Sequence, residues 1–157
     1  MRGGGFSGNY PYSIDGKGRA TIPSVYREQL GLGFTVGLNN DFTAIALYPK
    51  EKWDSISEQL DRIPESDRRG MAYVRLIQSY SFPDQSLDAQ GRLLLPQTLR
   101  QKTGAERDIR FVGVGRYLEI WDEARFLSMR SEAEDSFGDL MNYVNEMYFR
   151  PDGKQER

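Results

Sequence analysis

The chain reads as an α+β protein: two tandem β-rich units forming an intrachain pseudo-dimer, with linking helices between them and a C-terminal helical region. Three observations predict this. First, a segment is said twice. Residues 14–27 (Ile-Asp-Gly-Lys-Gly-Arg-Ala-Thr-Ile-Pro-Ser-Val-Tyr-Arg) return 73 positions later as residues 87–100 (Leu-Asp-Ala-Gln-Gly-Arg-Leu-Leu-Leu-Pro-Gln-Thr-Leu-Arg). The register holds beyond the motif, with Gly31 matching Gly104, Val36 matching Ile109, Leu47-Tyr48 matching Ile120-Trp121 and Trp53 matching Phe126. Repetition at a fixed offset marks a repeated structural unit. Second, the apolar runs inside each copy are short and bounded by Gly, Pro, Asn and Asp, which is strand-and-turn punctuation. Third, the stretches between and after the copies carry apolar residues at helical spacing. A unit of about 40 residues buries too little apolar surface to be stable alone. Two copies in one chain therefore share a core, and packing or interleaving them achieves that.

Each copy reads as strand, turn, strand and short helix, then a strand pair. Residues 12–14 and 86–87 lead into the turns. Asp15 and Asp88 open those turns, where a carboxylate can accept from the backbone ahead of it, and Gly18 and Gly91 can take positive φ. Residues 20–22 and 93–95 read as the next strands. Pro23 and Pro96 follow, suited to a helix start, and Gly31 and Gly104 stop the helix. Residues 34–38 and 45–48 pair in the first copy, and residues 109–114 and 117–121 in the second, across turn signals at 39–41 and 115–116.

Residues 50–63 are amphipathic through Trp53, Ile56, Leu60 and Ile63, with Pro64 as the stop. Residues 67–81 form a second helix, with Met71, Val74 and Ile77 inward and Tyr73 and Tyr80 as further candidates for that side. Residues 122–150 are helical, with a break expected at Gly138. Their apolar spacing alternates three and four, as on a packed face. Two uses compete for that face: the chain's own core, which is favoured, and a subunit contact. The expected organisation is an N-terminal flexible arm (1–11), a first repeat (12–53), linking helices (54–84), a second repeat (85–127), a C-terminal helix (128–150) and a disordered tail (151–157).

Composition narrows function mainly by what is missing. The chain has no cysteine and no histidine. Disulfides, thiolate or imidazole metal sites and Ser-His-Asp or Cys-His catalysis are thereby excluded. No EF-hand spacing, P-loop or dinucleotide fingerprint is present. No cofactor and no metal is expected, and an enzyme is disfavoured, because Asp15 and Asp88 already have complete roles in their turns. No run reaches the length of a membrane span. No signal-peptide core opens the chain, so a cytoplasmic protein is expected.

The formal net charge of −2 argues against binding nucleic acid by bulk charge. The charge is uneven, however. Residues 122–139 hold six acids and two arginines, whereas residues 15–27 hold Lys17, Arg19 and Arg27 against one acid. Local field decides a contact.

The duplicated Asp-x-x-Gly-Arg-x-x-x-Pro-x-x-x-Arg pattern resembles the MraZ family, transcriptional regulators of the bacterial division and cell-wall gene cluster. Asp15-Gly16-Lys17-Gly18-Arg19 is similar to that family's first DNA-facing loop. Leu47-Tyr48-Pro49 and Leu118-Glu119-Ile120-Trp121-Asp122 are similar to its two repeat ends. The resemblance covers residues 12–127; the glycine-rich N-terminal extension and the leucine-poor linking helices depart from the pattern. It implies a swapped-hairpin fold of the AbrB/MazE type, doubled within one chain. It also implies ring-like homo-oligomers, acting as a repressor on guanine-containing direct repeats of double-stranded DNA upstream of their own operon.

The residues suit that role independently. Lysine and arginine reach O6 and N7 of guanine in the major groove. Lys17 and Arg19 are the expected DNA readers, on one side of the segment if it is extended. Arg92 is an auxiliary, because Gln90 replaces the first loop's lysine. Against this stands a bracing reading, in which Arg19 pairs with Asp15, and Arg92 with Asp88, only to hold the turns. Arg27 and Arg100 are expected in solvent or against a carboxylate. The alternative function is an antitoxin-like, protein-binding module of the MazE type, which a neighbouring toxin gene would favour.

Overall fold

The computed structural model describes residues 5–150. The expected tail lies outside these residues, as do the first four. In chain order the elements are β1 (Asn9–Ser13), β2 (Arg19–Thr21), α1 (Ser24–Leu30), β3 (Phe34–Leu38), β4 (Ile45–Tyr48), α2 (Lys50–Asp61), α3 (Arg68–Ser79), β5 (Phe82–Gln85), β6 (Arg92–Leu94), α4 (Gln97–Thr103), β7 (Asp108–Gly113), β8 (Leu118–Asp122), α5 (Glu123–Asp135) and α6 (Phe137–Tyr148). They form two compact units, divided after Glu123.

The first unit is interleaved. Its large sheet is antiparallel, in the order β1-β7-β8-β4-β3-β5, and β2 pairs with β6 in a separate ribbon. Each copy's opening strand therefore leaves its own copy: β1 lies on β7, and β5 lies on β3. The ribbon is shared as well. Ala20 pairs with Leu93, its own counterpart in the repeat. In the middle of the large sheet Ala46 pairs with Glu119, again its own counterpart. Two self-counterpart pairs place one pseudo-two-fold relation through both sheets.

The alternation of side chains explains why the exchange holds. Ala20 and Leu93 point inward and are buried, while Arg19, Thr21, Arg92 and Leu94 point outward. Ala20, Ile22, Leu93, Leu95 and Leu99 join Ile45, Leu47, Ile109, Phe111, Leu118 and Ile120 in one core drawn from both copies. Either copy alone would leave half of that surface in water. At about 25 cal/mol per Å² of apolar area, this is the dominant favourable term.

The copies are not identical at the edges. β1 pairs with β7 over five residues, whereas β5 meets β3 through a register shift, with Asp84 at φ 57°. Pro83 removes a ladder donor there, and Pro11 does so in β1. Both lie on edge strands, where proline is tolerated and blunts further pairing.

Two expectations change. The arm expected over 1–11 joins the sheet from Phe6 onward. Phe6 is 4% exposed and exchanges backbone hydrogen bonds with Gly115 at 2.8 and 2.7 Å. The Tyr26 hydroxyl donates to the Ser7 carbonyl at 2.7 Å. The short apolar content of the segment hid this, because a single buried phenylalanine leaves no periodicity. In the second unit the helix break falls at Ser136, two residues before Gly138. α6 contains no buried residue.

Candidate DNA-binding interface

The two turns are built alike from their aspartates. The Asp15 carboxylate accepts from the amides of Lys17 and Arg19, each at 2.9 Å, and from Arg19 Nε at 2.8 Å. Asp88 accepts from the amides of Gln90 and Arg92 at 2.9 and 2.8 Å, and from Arg92 Nε at 2.8 Å. Each turn closes with a glycine amide donating to the aspartate carbonyl, Gly18 to Asp15 and Gly91 to Asp88. Backbone and guanidinium donors favour the ionised form, above all the Arg19 amide, and hold Asp15 down at about 2. The Arg92 amide leads the same effect on Asp88, whose carboxyl also lies below its ordinary value.

The arginines thus make the bracing contact in both copies. It occupies different fractions of their donors. Asp15 takes the Nε edge of Arg19, and no bond to the terminal nitrogens of Arg19 exists among the described residues. Arg92 gives its Nη2 to the Gln90 side chain at 3.3 Å. Lys17 is exposed and has no ion pair among the described residues. It stands in the turn itself, so the extended alternation expected of Lys17 and Arg19 does not apply. Gly16 and Lys17 reverse the chain there.

The glycines are required by a contact between copies. Gly18 and Gly91 have φ of 84° and 78°, a region that other residues avoid. A β-carbon on Gly91 would lie 2.7 Å from Nε and from Nη1 of Arg27; one on Gly18 would lie 2.9 Å from Nη2 of Arg100. So each repeat's second arginine covers the other repeat's turn. Arg27 Nε donates to the Ile22 carbonyl at 2.7 Å, and Arg100 Nε to the Leu95 carbonyl at 3.0 Å. The Ile22 and Leu95 amides in turn donate to the Gly91 and Gly18 carbonyls, each at 2.9 Å. Both arginines are half-buried and bonded to backbone, rather than solvated or set against a carboxylate as expected.

Two further residues belong to this surface. The first turn borders a polar depression that Arg100 and Arg107 also line, beside Glu106. The repeat places Phe34 where Arg107 stands, so the second copy lacks that charge. Leu94 is 61% exposed and faces Arg19 across the ribbon. The repeat pattern pointed to neither, since Arg107 and Leu94 have no like residue in the first copy.

A duplicated, strand-exchanged β unit presenting two arginine-bearing turns on one short ribbon belongs to the swapped-hairpin class. The family described as "MraZ protein, putative antitoxin-like" matches the chain over residues 6–75 and 84–142, one segment per copy. "Transcriptional regulator MraZ" of Syntrophomonas wolfei is 36% identical over 137 residues, covering 86% of this chain and 93% of that protein. The same-named protein of Lachnoclostridium phytofermentans is 39% identical over 142 residues, covering 87% and 95%. That of Acetivibrio thermocellus is 38% identical over 125 residues, covering 78% and 85%. The chain belongs to the MraZ family, and these relatives carry the name of transcriptional regulators.

Proposed function

We propose that this MraZ-family regulator is a repressor that binds guanine-containing direct repeats in double-stranded DNA, upstream of its own operon in the division and cell-wall gene cluster. It acts as a ring-like homo-oligomer in the cytoplasm, at the nucleoid. The turn at 15–19 is the reader, through Lys17 and Arg19, and Arg92 is the auxiliary. One observation carries this: Asp15 grips Arg19 by its Nε edge and leaves its outer nitrogens unengaged beside an exposed lysine. Bracing and reading are then one arrangement. A guanidinium held by a carboxylate loses little further entropy when its terminal nitrogens meet guanine O6 and N7, a contact worth about 1–3 kcal/mol of discrimination.

A two-stranded ribbon is narrow enough for the major groove. The second turn has its terminal nitrogen occupied and a glutamine in place of lysine, so it reads more weakly. One turn with two cations binds poorly at physiological salt. Several copies on spaced repeats convert later contacts into intramolecular ones, and avidity rises with the match of spacing.

Fluorescence anisotropy over a salt series tests the reading, using duplex from upstream of the protein's own gene and a scrambled control. Wild type prefers the native duplex. Arg19→Ala loses that preference by roughly 10–100-fold, as 1–3 kcal/mol implies, while keeping its fold by circular dichroism. No preference by wild type at any salt would overturn the proposal.

A further inference from the structure

The outer face of the β2–β6 ribbon carries four side chains, Arg19 opposite Leu94 and Thr21 opposite Arg92. Three of them are polar. Leu94 is not, and it is 61% exposed, while Leu93 and Leu95 beside it are buried at 3% and 1%. Strand alternation fixes that orientation, since a residue between two core leucines must face outward. The fold does not require an apolar residue there. The repeat puts Thr21 at the counterpart of Leu94, in the same ribbon and on the same face. A single exposed leucine is ordinary on a general protein surface. This one lies on the face that carries both turn arginines.

Its position also ties it to the first turn. The Leu95 amide donates to the Gly18 carbonyl at 2.9 Å, so β6 runs against the turn at 15–18 and sets Leu94 directly across from Arg19. Thr21 stands the same way to the second turn, through the Ile22 amide and the Gly91 carbonyl at 2.9 Å. Each turn's arginine therefore has a cross-strand neighbour from the other copy, leucine for Arg19 and threonine for Arg92. Directly opposed residues hold their β-carbons about 4.5–5.5 Å apart. Stacked bases along a strand are about 3.4 Å apart. With Arg19 on one base pair, Leu94 faces an adjoining one. Among the four ordinary bases, the apolar group displayed in the major groove is the C5 methyl of thymine. The other groups on those edges are donors and acceptors, which a leucine would strip of water without pairing.

We propose that Leu94 is a specificity-determining residue that packs on the 5-methyl group of a thymine beside the guanine read by Arg19. The assignment rests on the DNA reading above and adds to it a second base, read by hydrocarbon contact. Such a contact discriminates in two directions. It gains from covering the methyl of thymine. It also penalises the other bases, whose polar edges would lose water to a side chain that offers no hydrogen bond. The two turns then differ in their neighbours as well as in Lys17 and Gln90. A threonine hydroxyl can bond to more than one base edge, so Thr21 beside Arg92 selects no single base.

Uracil scanning tests it on the full-length chain. In the duplex from upstream of the protein's own gene, each thymine is replaced in turn by uracil, which removes the methyl and leaves base pairing intact. Fluorescence anisotropy compares wild type with Leu94→Ser on every duplex. Wild type is expected to bind about four-fold more weakly when the contacted thymine loses its methyl, the effect of returning one such group to water. Leu94→Ser is expected to bind the thymine and uracil duplexes equally, close to the wild-type affinity for the uracil duplex. Serine carries no methyl, and a hydroxyl is already accommodated at the counterpart Thr21. Circular dichroism and the urea midpoint establish folding of the variant. If Leu94→Ser unfolds, Leu94→Thr replaces it, with the ratio of thymine to uracil affinity expected to fall; an unchanged ratio would overturn the assignment. A wild type that prefers the native duplex to scrambled DNA, yet is indifferent to every uracil, overturns the leucine assignment and leaves the DNA reading standing. So does a uracil effect that persists in Leu94→Ser, since the methyl then acts through the duplex and not through this side chain. A wild type with no preference for the native duplex overturns both.

Discussion

Gly91→Ala probes the exchange between copies directly. Alanine at φ 78° costs about 1–2 kcal/mol for the left-handed backbone alone. Its β-carbon would also fall 2.7 Å from Nε and Nη1 of Arg27. The end of an arginine side chain can move, so the steric cost is not that of a core clash. But moving it forfeits the 2.7 Å bond from Arg27 Nε to the Ile22 carbonyl, a charge-assisted bond worth about 1.5 kcal/mol at a half-buried site. The sum is about 2.5–3.5 kcal/mol. Gly18→Ala should cost less, because its β-carbon meets the Arg100 guanidinium at longer range, 2.9 Å from Nη2 and 3.4 Å from Nε. Urea midpoints at one fixed protein concentration measure both, with m-values compared to guard against a changed denatured state. A double-mutant cycle isolates the contact: in the Arg27→Ala background, Gly91→Ala should cost only the backbone part, leaving a coupling of about 1–2 kcal/mol. A coupling near zero would refute the cross-copy brace, since Arg27 and Gly91 belong to different repeats.

Other perturbations report on separate parts of the fold. Asp15 has a folded pKa of about 2, below its ordinary value of 3.8, so its stabilising contribution is complete above pH 4 and is lost as pH falls toward 2; Asp15→Asn should flatten the acid limb of a urea-midpoint profile, and an unchanged limb would count against the turn design. Glu119, 7% exposed, accepts from Asn39 Nδ2 at 3.0 Å and from Trp121 Nε1 at 2.8 Å; Glu119→Ala removes both of these bonds and should cost roughly 2–4 kcal/mol with a shift in tryptophan emission. Phe6→Ala should cost about 3 kcal/mol and speed hydrogen exchange at the Gly115 amide, which donates to the Phe6 carbonyl; unchanged exchange would return this segment to a free arm. Burial, reinforced by Tyr10, pushes Tyr26 up to about 12, so an ultraviolet titration should show its phenol still neutral at pH 11.

Several features were present in the residues themselves. The duplication, the aspartate-opened turns, the helices at 50–61 and 68–79 and the absence of thiol or imidazole chemistry all follow from local pattern or composition. So does the contrast between Lys17 and Gln90, which makes the first turn more basic than the second. These are short-range facts: an Asx turn needs only its own five residues, and an amphipathic helix only its own period. Other features required the tertiary structure. That β1 lies on β7 and β5 on β3, that Arg27 covers Gly91, that Phe6 is anchored and that Glu119 sits opposite Ala46 are choices of partner. A strand's sequence states which face it buries but not which edge it joins. That choice is made by the arrangement burying both copies' apolar faces in one core. The same limit applies to α6, whose apolar spacing predicts a packed face but leaves the chain's own core and a subunit contact as competing partners.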